Sequence, residues 1–302
     1  MKYLRCLEVT SPEPEMVERV LRGSIDMHIH IAPDKKARRV DALQCAIAAQ
    51  DAGMRAVVLK STCYPTTPLA YVTKHLAPDV KCFGSICLDY EVTGGLCDST
   101  AIIVENHARL GAKMLWMPVT SAEYARRFTP GLEGTGIHIL DSHAKLRPEV
   151  IKVLEIIKNY DMVLGSGHIS YEEAAVLFKT AGCMGITKMV TTHPLSDVIW
   201  DAMSMEQIKQ LVRLGAYFEV CYLSCTPMNG REDLDNIVNA IREIGPEHTI
   251  LSSDMSQITD PTPAEGMRSF IAHMLQYGFS EEEVSCMVKT NPAVLLNLDI
   301  EI

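Results

Sequence analysis

The feature that most constrains this chain is a repeated unit: an amphipathic helical stretch, a glycine, then a short apolar run. It reads DAGMRAVVL around Gly53, RLGAKMLWM around Gly111, AGCMGITKMV around Gly182, RLGAYFEV around Gly215 and EIGPEHTILSS around Gly245. A glycine there supplies the left-handed residue just past a helix, and the apolar run behind it suits a strand buried on both faces. Helix starts are marked as clearly. Ser170 with Glu173, Ser204 with Gln207 and Thr262 with Glu265 have the capping-box spacing, and Pro148 stands at a first helical position. Helical periodicity then places Leu234, Ile237, Val238 and Ile241 on one face, and Met267, Phe270, Ile271 and Met274 on another.

Taken in order, these signals predict eight strands, near residues 24–30, 56–60, 81–88, 113–118, 162–168, 188–193, 216–222 and 249–254. A helical segment follows each, the first one preceded by a charged loop, PDKKARR. Alternating β and α units mean a parallel sheet with helical crossovers. Eight of them in 302 residues predict an α/β chain folded as a (β/α)₈ TIM barrel, a single domain over 1–302. No GxGxxG opens a helix after a strand, which sets aside a dinucleotide-binding sheet. Residues 119–147 are too long for an ordinary strand-to-helix connection and read as a lid-like insertion over the barrel mouth. Residues 1–22 read as an N-terminal helical extension and 280–302 as closing helices.

Composition narrows the partners. A net charge of −10 argues against nucleic acid, because neutralising phosphates needs clustered Lys and Arg. The first twenty residues hold no apolar run of signal-peptide kind, and no stretch approaches the roughly 18 apolar residues of a spanning helix. A cytoplasmic protein without membrane contact is expected. The ten cysteines are scattered and form no CxxC, so they read as buried thiols rather than disulfides or a cysteine zinc site. The expected partner is a small-molecule substrate, and a homo-oligomer is compatible with the sequence.

The most informative hexapeptide is Ile25-Asp26-Met27-His28-Ile29-His30. Side chains alternate along a strand, so His28 and His30 face the same way, and at the C-terminal end of a barrel strand that direction is the mouth. His168, His193 and Asp254 fall at the C-terminal ends of three further predicted strands. His168 and His193 are 25 residues apart, one βα unit, and His193 and Asp254 are 61 apart, two units. Side chains at that spacing project into one mouth. Imidazole and carboxylate together are what a borderline cation such as Zn²⁺ prefers.

This pattern resembles the amidohydrolase superfamily, whose barrels carry HxH after strand 1, His after strands 5 and 6, and Asp after strand 8. The terminal Asn291-Pro292-Ala293-Val294-Leu295-Leu296 is similar to the helix that often ends these proteins. The resemblance implies a metal-dependent hydrolase that activates water against a C–N (amide, lactam, amidine) or ester bond. It implies one divalent metal per chain, zinc by expectation, held by His28, His30, His168 and Asp254. Asp254 would also serve as the base, and His193 would polarise the substrate or become a ligand if a second metal binds. One departure matters: binuclear members carry a carboxylated Lys or a Glu after strand 4, where this chain has Pro118-Val119-Thr120. Lys60, closing the second strand, is expected to pair with an anionic substrate group, with carboxylation to bridge a second metal as the lesser alternative. Non-hydrolytic decarboxylation on the same ligands and a non-catalytic ligand-binding barrel are the rival readings.

Other candidates carry less. His138, His143, Arg126 and Arg127 lie in the insertion and read mainly as solvated loop residues. His75, His107 and His273 sit in helical patterns, and His248 precedes the last strand at the opposite end of the barrel.

Overall fold

The computed structural model describes residues 11–196, 202–226 and 232–299. The strands are β1 (Ile25–His30), β2 (Ala56–Lys60), β3 (Lys81–Phe83), β4 (Ser85–Cys87), β5 (Met114–Trp116), β6 (Val163–Gly165), β7 (Met189–Thr191), β8 (Ala216–Cys221) and β9 (Thr249–Ser252). They run β1-β2-β3 and β4 through β9, every pair parallel, with helices between them. β3 and β4 are two halves of the one strand predicted at 81–88. The break falls at Gly84 because the start of the Thr67–Thr73 helix presses into it: a Cβ there would stand 2.3 Å from the Thr67 Cα. Thr66 bridges the gap, its hydroxyl donating to Leu59 O (2.6 Å) and accepting from the Ser85 N–H (2.9 Å).

The seam between β9 and β1 is joined by a parallel bridge from Ile29 to Met255. The Asp254 N–H donates to His28 O at 2.8 Å, and the His30 N–H to Met255 O at 3.2 Å. The architecture is therefore the predicted (β/α)₈ barrel. Its interior is a packed cluster that includes Ile25, Met27, Val58, Trp116, Val163 and Ile250. Ala293, Leu295 and Leu296 of the Asn291–Leu296 helix complete that cluster, while the Asn291 amide donates to Pro246 O (2.8 Å) and Thr249 O (2.7 Å) at the entry to β9. The closing helix seals the N-terminal end of the barrel and leaves the other end for chemistry.

The helix signals operate as read, with two variations, the first being that Gly182 lies inside the Tyr171–Cys183 helix and Gly185, at φ +86°, is the left-handed residue past it. Ser170 and Ser204 form complete capping boxes with Glu173 and Gln207. Thr262 accepts from the Glu265 N–H, but the Glu265 carboxylate turns to Arg268 instead of back to the cap. Of the N-terminal extension, Pro14–Leu21 is helical and residues 1–10 lie outside the described ones; the closing segment is described to residue 299. No helix among the described residues is long and apolar enough to cross a membrane.

Candidate active site

Strand β1 presents its two histidines through an irregularity rather than by plain alternation. Ile25 and Met27 belong to the barrel interior, whereas Ile29 and Ile31 pack outward against the helices. The register shift between Asp26 and Ile29 switches the parity, so that His28 and His30 both turn inward. Asp26 pins the shift: its Oδ1 accepts from the N–H of His28 (3.1 Å) and from that of Ser253 (3.0 Å), past the end of β9. Burial lifts the Asp26 carboxyl to about 7 against these hydrogen bonds.

The other candidates stand on loops just beyond their strands. The strands end at Gly165, Thr191 and Ser252, short of the 168, 193 and 254 predicted from the apolar runs. The chain leaves the ladder before each candidate residue because its backbone turns left-handed: Gly167 at φ +59°, His193 at +26° and Asp254 at +52°. Only glycine fits at 167, where a Cβ would stand 2.3 Å from Met117 O, and this close approach lets the His168 N–H donate to Pro118 O at 2.9 Å. His193 and Asp254 carry the strain of a non-glycine residue in that region, of order 1–3 kcal/mol each.

These turns bring the predicted set together. Asp254 Oδ1 lies 3.1 Å from Nε2 of both His28 and His30, and Oδ2 lies 3.9 Å from His193 Nε2. His193 Nε2 is in turn 3.3 Å from His168 Nε2. Nitrogen and oxygen ligands of a tetrahedral zinc stand roughly 3.3–3.5 Å apart, close to these separations. Asp254 Oδ1 is buried without a hydrogen bond of ordinary geometry, a costly state for a carboxylate and one that a cation at this point relieves. His28, His193 and Asp254 offer ligand atoms that all lie within 4.8 Å of one another. The residues present therefore fit a divalent metal. A second group, His28 with Glu219 and Cys221, fits less well, because burial pushes the Cys221 thiol well up and keeps its proton on.

Electrostatics set His28 apart from the other three rings. Burial depresses His30 to about 3 and His193 to about 4, and takes His168 well below the usual imidazole range, so these rings are neutral, as ligands must be. Burial also works against ionising Asp254, but the His28 charge and the close approach of the His28 and His30 nitrogens hold the carboxyl well below its ordinary range. At His28 burial is overcome by Asp254 and, against Lys60, by Glu219, which lift it to about 9.

Two side chains explain the setting of His28. Glu219, wholly buried on β8, accepts from His28 Nδ1 at 3.2 Å and from Ser252 Oγ at 2.9 Å, which leaves Nε2 facing Asp254. Sequence reading missed Glu219. The available signal was a carboxylate inside the apolar run AYFEV, the kind of anomaly that had marked Lys60. Lys60 itself is 1% exposed, with Nζ 2.8 Å from His28 Nε2 and 4.8 Å from the centre of the Trp116 ring. It is not among the residues that line the cavity above the site, a space of about 340 Å³. That cavity is floored by His30, His168, His193 and Asp254, and Val119 and Thr120 of the insertion form part of its wall.

The remaining candidates lie elsewhere. His138 is 53% exposed, 3.8 Å from Glu173, and His143 is exposed. Arg126 stacks over Tyr90 at 4.9 Å and donates to Thr120 O and Thr135 O, while Arg127 lies 3.8 Å from Glu123. His107 and His273 are on helices, His75 just past one, and His248 is in the turn before β9.

Comparison with known proteins supports this architecture. The probable dipeptidase PvdM from Pseudomonas aeruginosa superposes with a TM-score of 0.65 at 12% identity, covering 94% of this chain and 97% of that one. An amidohydrolase from the same organism gives 0.61 at 10% identity, covering 95% and 98%. A probable 2-pyrone-4,6-dicarboxylic acid hydrolase from Acinetobacter baumannii gives 0.58 at 14%, covering 91% and 100%. At such identities the likeness establishes the barrel fold of amidohydrolase-type proteins. No curated protein matches the sequence. The model of one sequence family spans residues 23–219, from β1 into β8, and on that match the chain belongs to the family of unknown function DUF6282.

Proposed function

We propose that this protein is a metal-dependent hydrolase of a small molecule, cleaving a C–N (amide, lactam, amidine) or ester bond with water. The observation that carries the reading is the buried Asp254 Oδ1 set 3.1 Å from two imidazole nitrogens at the C-terminal end of the barrel strands. The printed names of the similar structures, a dipeptidase, an amidohydrolase and a dicarboxylic acid hydrolase, are of the same reaction type.

In this reading His28, His30, His168 and Asp254 hold one divalent cation, zinc by ligand chemistry, with His193 beside them. When bound, such a cation supplies Lewis acidity and lowers the pKa of a water toward neutrality. Glu219 keeps the proton of His28 on Nδ1 and so aims the Nε2 lone pair at the site. Asp254, held as a carboxylate, takes a proton from the attacking water and returns it to the leaving group. His193, neutral and on the cavity floor, donates a hydrogen bond to the substrate oxygen as charge develops there. Lys60 tunes His28 from beneath.

Decarboxylation on the same residues is the second reading. It is favoured by the stretch after β5, where Pro118, Val119 and Thr120 offer no acid to bridge a second metal. Elemental analysis of the purified protein, followed by a screen of amides, lactams, ureas and aromatic carboxylates, tests both. Incorporation of ¹⁸O from water into a product supports hydrolysis, and release of CO₂ supports the rival. A protein that binds no divalent metal would end both.

A further inference from the structure

The loop that follows β1 has so far played no part in the chemistry. It reads Pro33-Asp34-Lys35-Lys36-Ala37-Arg38-Arg39, four cations in seven residues of a chain whose net charge is −10. Asp34, Lys35, Lys36 and Arg38 all line the cavity that holds Asp254. Two of the cations are committed. Lys35 pairs with Glu91, and Arg38 donates through Nε to Asp34 Oδ2 (2.7 Å), with Nη2 ion-paired to the same oxygen at 2.6 Å. The Asp34 pairing fixes the guanidinium plane: the side chain is only 5% exposed, its Nη2 lies 3.1 Å from His30 Nδ1, and its Nη1 is buried with no hydrogen-bond partner. Lys36 is exposed on the cavity wall, and among the described residues no ion pair holds its ammonium.

One imidazole connects this cationic wall to the chemistry. His30 turns Nε2 to Asp254 and Nδ1 to Arg38, so the carboxylate and the guanidinium stand on opposite sides of one ring. On this wall Asp34 is paired with Arg38, and Lys35 with Glu91. That leaves Lys36 without an ion pair among the described residues, two positions from a guanidinium with a donor to spare, and both line the same cavity. The buried donor without an acceptor favours an anionic oxygen, and the Lys36 ammonium on the same wall supplies a second charge for it.

We propose that Lys36 and Arg38 form an anion subsite, and that the substrate is a small organic carboxylate whose carboxylate rests on them while its scissile group lies at Asp254. The proposal deepens the hydrolase reading, resting on this cavity as the substrate site, and it also makes a claim about binding that holds without turnover. The shared loop gives the subsite its second use: a positive mouth on a negative protein steers anions inward.

The test is calorimetric titration of the full-length protein, both chelator-treated and zinc-loaded, with the dicarboxylates malonate through pimelate and with their neutral diamides. At least one dicarboxylate should bind about tenfold or more tightly than its diamide, the ordinary worth of a charge-assisted hydrogen bond. Lys36→Met should lose about that factor on the dicarboxylate and nothing on the diamide, and Lys36→Arg should restore it. Lys36 is an exposed loop residue, so the variant folds. Binding without discrimination, no binding by any dicarboxylate, or an unchanged Lys36→Met protein would overturn the subsite. Zinc uptake, measured in the same samples, reports on the hydrolase reading separately: a protein that refuses zinc yet prefers dicarboxylates loses only the metal chemistry.

Discussion

Glu219 gives the sharpest test of how the site is built. Its carboxylate is wholly buried, one oxygen accepting from His28 Nδ1 at 3.2 Å and the other from Ser252 Oγ at 2.9 Å. In Glu219→Gln the amide oxygen still accepts from Nδ1–H and the amide N–H₂ can donate to Ser252, so the tautomer survives and only the negative charge is lost. The basicity of His28 falls, and loss of such an outer partner weakens metal affinity by about 10–100-fold, or roughly 1.4–2.7 kcal/mol. In Glu219→Ala both donors lose their acceptor, at about 1–3 kcal/mol for each buried group left unpaired, and a cavity opens besides. Zinc affinity by chelator competition and stability by urea titration separate the two. Glu219→Gln should bind zinc about tenfold or more weakly while keeping its urea midpoint, because a buried charge is itself unfavourable. Glu219→Ala should lose both affinity and stability. A folded Glu219→Gln protein with wild-type zinc affinity would refute the claim that Glu219 orients His28 for a metal.

The remaining predictions address the ligands and the frame. His28→Ala combined with His30→Ala should abolish zinc uptake by elemental analysis, and full occupancy in that variant would end the ligand assignment. Asp254→Asn should retain much of the metal and lose on the order of 10²–10⁴ in kcat on any substrate the screen finds, the usual span for a general base; near-wild-type turnover would put the base elsewhere. Lys60→Met should leave the metal stoichiometry at one and bind zinc no more weakly, since Nζ now competes for His28 Nε2 at 2.8 Å; two metals falling to one would instead reveal a carboxylated Lys60. Gly84→Ala should destabilise by about 1–3 kcal/mol, because the new methyl meets the Thr67 backbone, and an unchanged thermal midpoint would show that the helix start yields freely.

What could be read from the sequence was whatever local chemistry repeats. Glycine near a helix end with an apolar run behind it marked five of the strands, and apolar runs alone marked the rest, because turn residues and burial are properties of a few neighbouring positions. Two features escaped for the same reason: each is set by a distant segment. The third strand breaks at Gly84 under pressure from Thr67, and β1 changes parity under the grip of Asp26 on Ser253. The histidines and Asp254 were found because barrel geometry converts sequence spacing into proximity. Glu219 and Arg38 were not, since their meaning depends on touching His28 and His30, and neither contact has a sequence signature. Lys60 was noticed for its place in a hydrophobic strand, but which way its ammonium turned is a matter of side-chain packing.

The left-handed backbone at His193 and Asp254 has a consequence for how this protein can change. Both residues sit where glycine would be at ease, and Asp254 is followed by Ser256 at φ +112°. The segment after β9 is thus held open against its own preference by the rest of the barrel. Activity and robustness pull in opposite directions there: Asp254→Gly would relax the backbone and remove a buried carboxylate, giving a hardier fold with no chemistry. Selection for thermal endurance alone would drift toward that inert barrel, so a library screened for stability should also be counter-screened for zinc, or it will discard the site first.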